Sequence, residues 1–325
     1  MKNYIVRHYT SKDFAIWNAF SSTAKNATFL FHRDFMEYHQ DRFQDFSLLV
    51  FEEDKLVSIL PANRVGDTVF SHQGLTYGGF VFDAKIKLGN AIAIAKAVLE
   101  FLHQNEITTF QLKLIPSIYT AFFSEEIEYA LFLTNAKLIR RDCLSVIDLK
   151  KDFTFSKTRK ESIRRGEKHN LLIKEELNFD LFWNEILIPN LDKKHNSKPV
   201  HSAAKISSLQ QKFPQNIRHF NVYFENKIVA GTTVFITNTV AHPQYISGND
   251  QKNELGSIDY LYNHLVTEVF VDKKFFDFGP SHEENGKKIN EGILFWKESF
   301  GAKTTVQDYY EIDTSNFGLL NQVMI

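Results

Sequence analysis

Apolar positions along the chain follow two periods, and the order in which the periods alternate occurs twice. The first residues, 4–6, read as a strand, and short amphipathic stretches at 13–19 and 31–39 read as helices. Strand-like runs follow at 47–51, 56–63 and 68–72. At 88–104 the period changes: Ile92, Ala95, Leu99 and Leu102 recur at helical spacing. A strand at 110–114, a helix at 117–128 and a long strand at 138–149 complete the first set. The second set begins with helices at 180–191 and 203–212. It continues with strands at 219–224, 229–236 and 242–247, the first two joined by the turn residues Glu225, Asn226 and Lys227. Helix 258–270, strand 275–278, helix 291–300 and strand 304–312 close it. The repeated order predicts an α+β protein of two similar halves, 1–150 and 151–325. Each is a mixed, mainly antiparallel sheet flanked by helices, and the joint falls in 150–168.

Composition agrees with two soluble globular domains: 325 residues, 43% hydrophobic and 24% charged. The 31 phenylalanines supply the volume for large cores. A formal net charge of -1 leaves no global field to gather DNA or an anionic membrane, so any basic site is local. One such site exists. Residues 150–169 hold eight Lys or Arg against three acids, and Lys157, Lys160, Arg164 and Lys168 share one helical face on which phosphate could be met. The single cysteine, Cys143, excludes an internal disulfide and a thiolate metal cluster. Within the apolar run 142–147 it reads as a buried structural thiol. No stretch reaches the ~18 apolar residues of a spanning helix. The N-terminal residues read as strand and turn, not as a signal core, so a cytoplasmic protein is expected.

Several constellations could carry chemistry. The C-terminal helix starts at the N-cap Asn290 and stops at Gly301. Ile293, Trp296 and Phe300 form its apolar face, and Lys297 falls on that same face. An ammonium there either meets an anion, acquires a lowered pKa, or reaches along the stripe edge to water. The preceding strand carries Asp277 to Gly279 and Pro280, at the sheet edge where α/β proteins bind ligands; a turn aspartate satisfying backbone amides is the plainer alternative. The polar linker 190–202 contains Lys194, His195 and His201, which could supply a base or a clamp. Its histidines lack HxxxH or HExxH spacing, so no metal site is expected. The glycine-rich segment 71–79, with His72 and Tyr77, suits a cleft wall and lacks the GK[ST] ending of a phosphate loop. No Ser-His-Asp order or dinucleotide fingerprint is present.

The residues Phe276-Asp277-Phe278-Gly279, a polar loop, and Trp296-Lys297-Glu298-Ser299-Phe300-Gly301 resemble the signature of FemAB-like enzymes: aromatic-Asp-Phe-Gly, then Phe-Lys-x-x-Phe-Gly. The segment 158–169 is similar to the Arg/Lys-rich helix that opens the second domain of that family. The resemblance, which extends to BioF2-like acetyltransferase domains, implies tandem GNAT-like (acyl-CoA N-acyltransferase) domains. It implies transfer of an acyl or aminoacyl group to an amine of a small or nucleotide-linked acceptor, such as an amino sugar or cell-envelope precursor. By the same resemblance Lys297 matches the family lysine of substrate handling and catalysis, and Trp296 replaces the usual phenylalanine beside it. Arg164 or Arg165 would contact a nucleotide-linked substrate, and Lys194 and His195 would lie in the loop bordering the cleft. Asp277, His201 or Glu283 would take up the proton.

For the donor, the resemblance offers acyl-CoA or aminoacyl-tRNA. A GNAT fold presents helix N-terminal amides to the pyrophosphate of acyl-CoA, which nominates Gly256, Ser257 and Gly279. The usual Arg/Gln-x-x-Gly-x-Gly/Ala form is absent there, and Asp259 in the first turn would oppose an anion by ~0.3–1 kcal/mol. The coiled-coil insertion of many tRNA-using members is also absent. A small acyl donor is therefore the leading expectation. An aminoacyl-tRNA-dependent peptidyltransferase and a catalytically silent GNAT-like binding protein remain the alternatives.

Overall fold

The computed structural model describes residues 3–39, 41–195 and 198–323. They divide into two compact units, Met1–Asp142 with Val306–Ile325, and Cys143–Thr305. Among the described residues no helix is long and apolar enough to cross a membrane.

The first unit owes its core to the helix Leu88–Gln104. Ala91, Ile92, Ala95, Val98, Leu99 and Leu102 are buried on one stripe, the face that the helical spacing predicts. They pack with Leu48, Val50, Val57 and Leu60 of an antiparallel sheet formed by Tyr4–His8, Leu48–Glu52, Lys55–Leu60 and Val81–Phe82. Ile312 and Leu320 join the same core. That is why the last twenty residues belong here and the units do not follow the expected halves 1–150 and 151–325. Hydrophobic period places a strand but does not say which sheet accepts it. The helix expected at 117–128 is displaced. A short 3-10 turn, Ser117–Tyr119, follows Pro116, and the helix runs Glu126–Leu133, where Ile127, Ala130 and Leu131 supply the buried stripe.

In the second unit the strand order is Leu172–Glu175, Ile217–Phe224, Lys227–Ile236, Val240–Gly248, Phe275–Pro280 and then the distal part of Lys137–Asp148. The pairings are antiparallel except one. Val240–Gly248 runs parallel to Phe275–Pro280, joined only at Val240↔Phe275 and Ala241↔Phe276. Two residues further on, Pro243 has no amide hydrogen to donate, and the ladder does not continue. Phe276, Phe278, Tyr262 and Phe300 fill the core on the helical side. Cys143 is exposed, not buried as the apolar run suggests. Its neighbours Asp142 and Leu144 are buried, and strand alternation turns Cys143 the other way.

Candidate functional site

Where the parallel pair ends, the two strands part, and a cavity of about 730 Å³ opens in the second unit. Pro243, Ile246 and Ser247 line it from one strand and Phe278 and Pro280 from the other. The C-terminal helix Glu291–Glu298 adds Ile293, Phe295, Trp296 and Lys297, and the basic helix Lys157–Lys168 adds Thr158, Arg159, Ser162 and Arg165. Among the described residues four cations line the cavity, Arg159, Arg165, Lys252 and Lys297, against one acid, Asp259. Such a cavity favours an anionic ligand with apolar surface.

Lys297 is buried, with 5% of its surface exposed, although the face expected around it is only partly covered: Phe300 is buried, Trp296 half-buried and Ile293 45% exposed. Asn290 caps the helix by accepting the amide of Ile293, and Gly301 ends it at φ +88°. The Lys297 amine donates to the Gly279 carbonyl at 2.9 Å and the Pro280 carbonyl at 2.6 Å. Burial pulls its pKa down to about 8, with the charge of Asp277 acting the other way. Two of its three N–H groups are thus used by the backbone. Lys297 lines the cavity, where the third could serve a ligand.

The acid of the cavity is not left to oppose an anion. Asp259 forms an ion pair with the buried Arg159 and accepts the indole N–H of Trp296 at 2.7 Å. Arg159 also donates to Ser299 at 2.9 Å and lies over the Phe300 ring at 4.9 Å. This network ties the basic helix, the helix Ser257–His264 and the C-terminal helix together. On the basic helix, Arg159, Ser162, Ile163 and Gly166 are buried, whereas Lys157, Lys160, Arg164 and Lys168 face solvent. The face expected to meet phosphate is therefore not the face that lines the cavity. Of the two arginines proposed for substrate, Arg165 lines it, anchored through Ser162 at 2.9 Å and the Asn253 carbonyl at 3.1 Å.

Gly256 and Ser257 are buried and do not line the cavity. Gly256 sits at φ +66°, and a Cβ there would meet the Ser162 carbonyl oxygen at 2.1 Å. On the same contact, a Cβ at Gly166 would lie 2.5 Å from that of Tyr260, so both glycines serve close helix packing. The turn is covered by the basic helix and does not fit a pyrophosphate cradle. Gly279 contributes its carbonyl to Lys297, not an amide to a donor: its own N–H goes to Asp277 at 2.7 Å.

The remaining candidates are scattered. Asp277 is 1% exposed, bonded to the Gly279 amide and within 3.4 Å of His242, outside the cavity lining. His201 is buried against Tyr245, whose hydroxyl lies 2.5 Å from its Nδ1, and its carbonyl accepts the Trp183 indole. Neither it nor the exposed Glu283, which accepts from Asn290 at 3.3 Å, lines the cavity. Lys194 and His195 end the helix Ile188–His195, and their side chains lie outside the described residues. His72 and Tyr77 belong to the first unit; both are buried, His72 with its pKa lowered to about 4 by burial, Tyr77 donating to Thr28 at 3.1 Å. Sequence reading missed Arg159 and Lys252 as lining groups, whereas Asn190, the first residue of the linker expected to border the cleft, does line the cavity. For Arg159 a signal existed: 159, 162, 163 and 166 follow the i, i+3, i+4, i+7 stripe of a packed helix.

No family model and no curated protein matches the chain. Solved structures do match in fold. FemX superposes with a TM-score of 0.67 at 9% identity, covering 98% of this chain and 99% of its own. A conserved protein of unknown function from Bacteroides thetaiotaomicron gives 0.58 at 11%, over 95% and 99%. L-PGS from Bacillus licheniformis gives 0.56 at 11%, over 89% and 94%. At these identities the likeness is one of fold: the chain has a FemX-like fold, the one that the signature around Lys297 implies.

Proposed function

We propose that the second unit is an acyl or aminoacyl transferase that moves its group from an ester or thioester to an amine, with one substrate carrying an anionic group. The observation that carries the reading is Lys297: a buried amine, fixed by two carbonyls, at the wall of a cation-lined cavity. With a pKa of about 8 it is mostly ammonium at neutral pH. The FemAB-like resemblance supports the same chemistry.

In this reaction the amine attacks the carbonyl carbon, and the carbonyl oxygen gains negative charge. An ammonium fixed beforehand beside that oxygen lowers the barrier without reorganising, typically by ~10²–10³ in rate for one such donor. Collapse expels the alkoxide or thiolate, and the proton leaves the former amine to solvent or to that leaving group. Arg165 and Lys252 suit the anionic portion of a substrate, while Ile246, Ile293 and Phe295 suit an apolar portion. Gly256 packs against Ser162 and lies outside the cavity lining, which supports a donor held by the cavity's own cations. The acceptors favoured are nucleotide-linked amino sugars and related cell-envelope precursors.

The test pairs acetyl-CoA or charged tRNA with UDP-linked amino sugars, scored by thermal shift and by mass spectrometry of the acylated product. Product formation that drops ~100-fold in a Lys297→Met protein that remains folded by circular dichroism is expected. Unchanged turnover in that variant would sink the role of Lys297. Absence of stabilisation by any donor or acceptor would instead favour a silent binding protein.

A further inference from the structure

Asp277 sits on the strand beside Lys297 yet does not reach the cavity, and three features define what it does. Its Oδ1 accepts the amide of Gly279 at 2.7 Å, closing a tight turn within the strand. Gly279 there adopts φ +73°, and the register against strand Lys137–Asp148 breaks between Asp277 and Pro280. His242, from the neighbouring strand, approaches the Asp277 carbonyl at 2.9 Å and Oδ2 at 3.4 Å, and its Cε1 would stand 3.2 Å from a Cβ on Gly279. The break turns two successive carbonyls, of Gly279 and Pro280, onto the Lys297 amine.

We infer that Asp277 is a positioning residue: its carboxylate folds the strand end back at Gly279, so that the two carbonyls form a seat for Lys297, and its charge balances the ammonium held there. The bearing of this seat on catalysis rests on the proposed role of Lys297, but the seat itself does not. A carboxylate 1% exposed and outside the lining is not placed to take a proton from a substrate amine. A turn alone would accept asparagine equally well, so charge is what distinguishes the two roles. The charged or titratable groups that line the cavity with Lys297 are Asp259 and Tyr262 on helix Ser257–His264, Arg159 and Arg165 on the basic helix, and Lys252, while Asp277 and His242 lie on the strands.

Asp277→Asn keeps the size and the acceptor for the Gly279 amide and removes the charge. The readout is an NMR pH titration of lysine labelled with 13C at Cε, with the Lys297 resonance assigned by its loss in Lys297→Met. Without the carboxylate the ammonium loses a stabilising neighbour, so the Lys297 midpoint falls from about 8 by roughly one pH unit. A urea double-mutant cycle gives the second measurement: Asp277→Asn destabilises less when Lys297 is already Met. Should Asp277→Asn fail to fold alone, the double variant recovers folding. An unmoved midpoint, equal destabilisation in both backgrounds, or a double variant that also fails to fold overturns the inference. Neither readout uses turnover, so a failed transferase assay leaves this test intact.

Discussion

Replacing Gly256 by alanine separates two roles for one turn. As a phosphate cradle, the position would lose function with little change in stability. As the structure has it, the substitution acts on the fold. A non-glycine residue at φ +66° costs about 1–2 kcal/mol. The added Cβ would also lie 2.1 Å from the Ser162 carbonyl oxygen, a backbone atom that no rotamer can move aside. The basic helix must therefore shift, and overpacking of this kind adds about 1–3 kcal/mol. Together they give ~2–5 kcal/mol, a large share of the ~5–15 kcal/mol that holds a typical domain. For a unit of this size that lowers the melting temperature by roughly 4–20 °C. Calorimetry or circular dichroism on the purified protein reads it directly. Gly292→Ala is the control. Its Cβ would meet nothing closer than Asn290 Oδ1 at 3.7 Å, and alanine in a helix gains about 0.5–1 kcal/mol. A Gly256→Ala protein melting within about 2 °C of wild type would refute the packing argument.

Two further outcomes follow from the same site. Arg159→Met leaves Asp259 buried with its cation gone, at a cost of about 3–5 kcal/mol, and Asp259→Asn in the same chain restores most of it; melting unchanged in the single variant would contradict the assignment. Lys297 has a folded pKa of about 8 against 10.5 for an ordinary lysine, so between those values the unfolded chain binds a proton that the folded chain has released. Stability therefore rises with pH across that window, by up to ~3 kcal/mol, and the penalty of burying the ammonium is fully present below about 8. Lys113, also lowered to about 8 by burial, acts with the same sign. The measurement is thus the difference in urea stability between wild type and Lys297→Met from pH 7.5 to 10; parallel curves would show that Lys297 does not titrate there.

The helix Leu88–Gln104 was legible because its buried residues recur at helical spacing along its whole length. Lys297 was legible because an ammonium at i+4 breaks an apolar face; the structure buries it, with Phe300, while Ile293 of that face is exposed. The wedge that makes the cavity was not. It depends on a parallel ladder of two pairs, a contact between segments more than thirty residues apart, and its only local trace is Pro243. Likewise Arg159 was hidden among eight basic residues, because the stripe it belongs to contains an arginine, a serine and a glycine, and reads as polar.

That stripe also explains why Gly256 resembled something it is not. A glycine opening a helix beside a polar residue is what a phosphate turn requires, and it is equally what two closely crossing helices require. Sequence cannot distinguish an anion from a carbonyl oxygen as the neighbour. Here the neighbour is the Ser162 carbonyl, supplied by a helix whose own small residue, Gly166, admits Tyr260 in return. The close crossing brings Arg159 within reach of Asp259, and Asp259 then holds the indole of Trp296, the residue before Lys297. The glycine first nominated for cofactor binding thus reaches Lys297 through packing: loosening it should disturb the C-terminal helix, not merely a ligand contact.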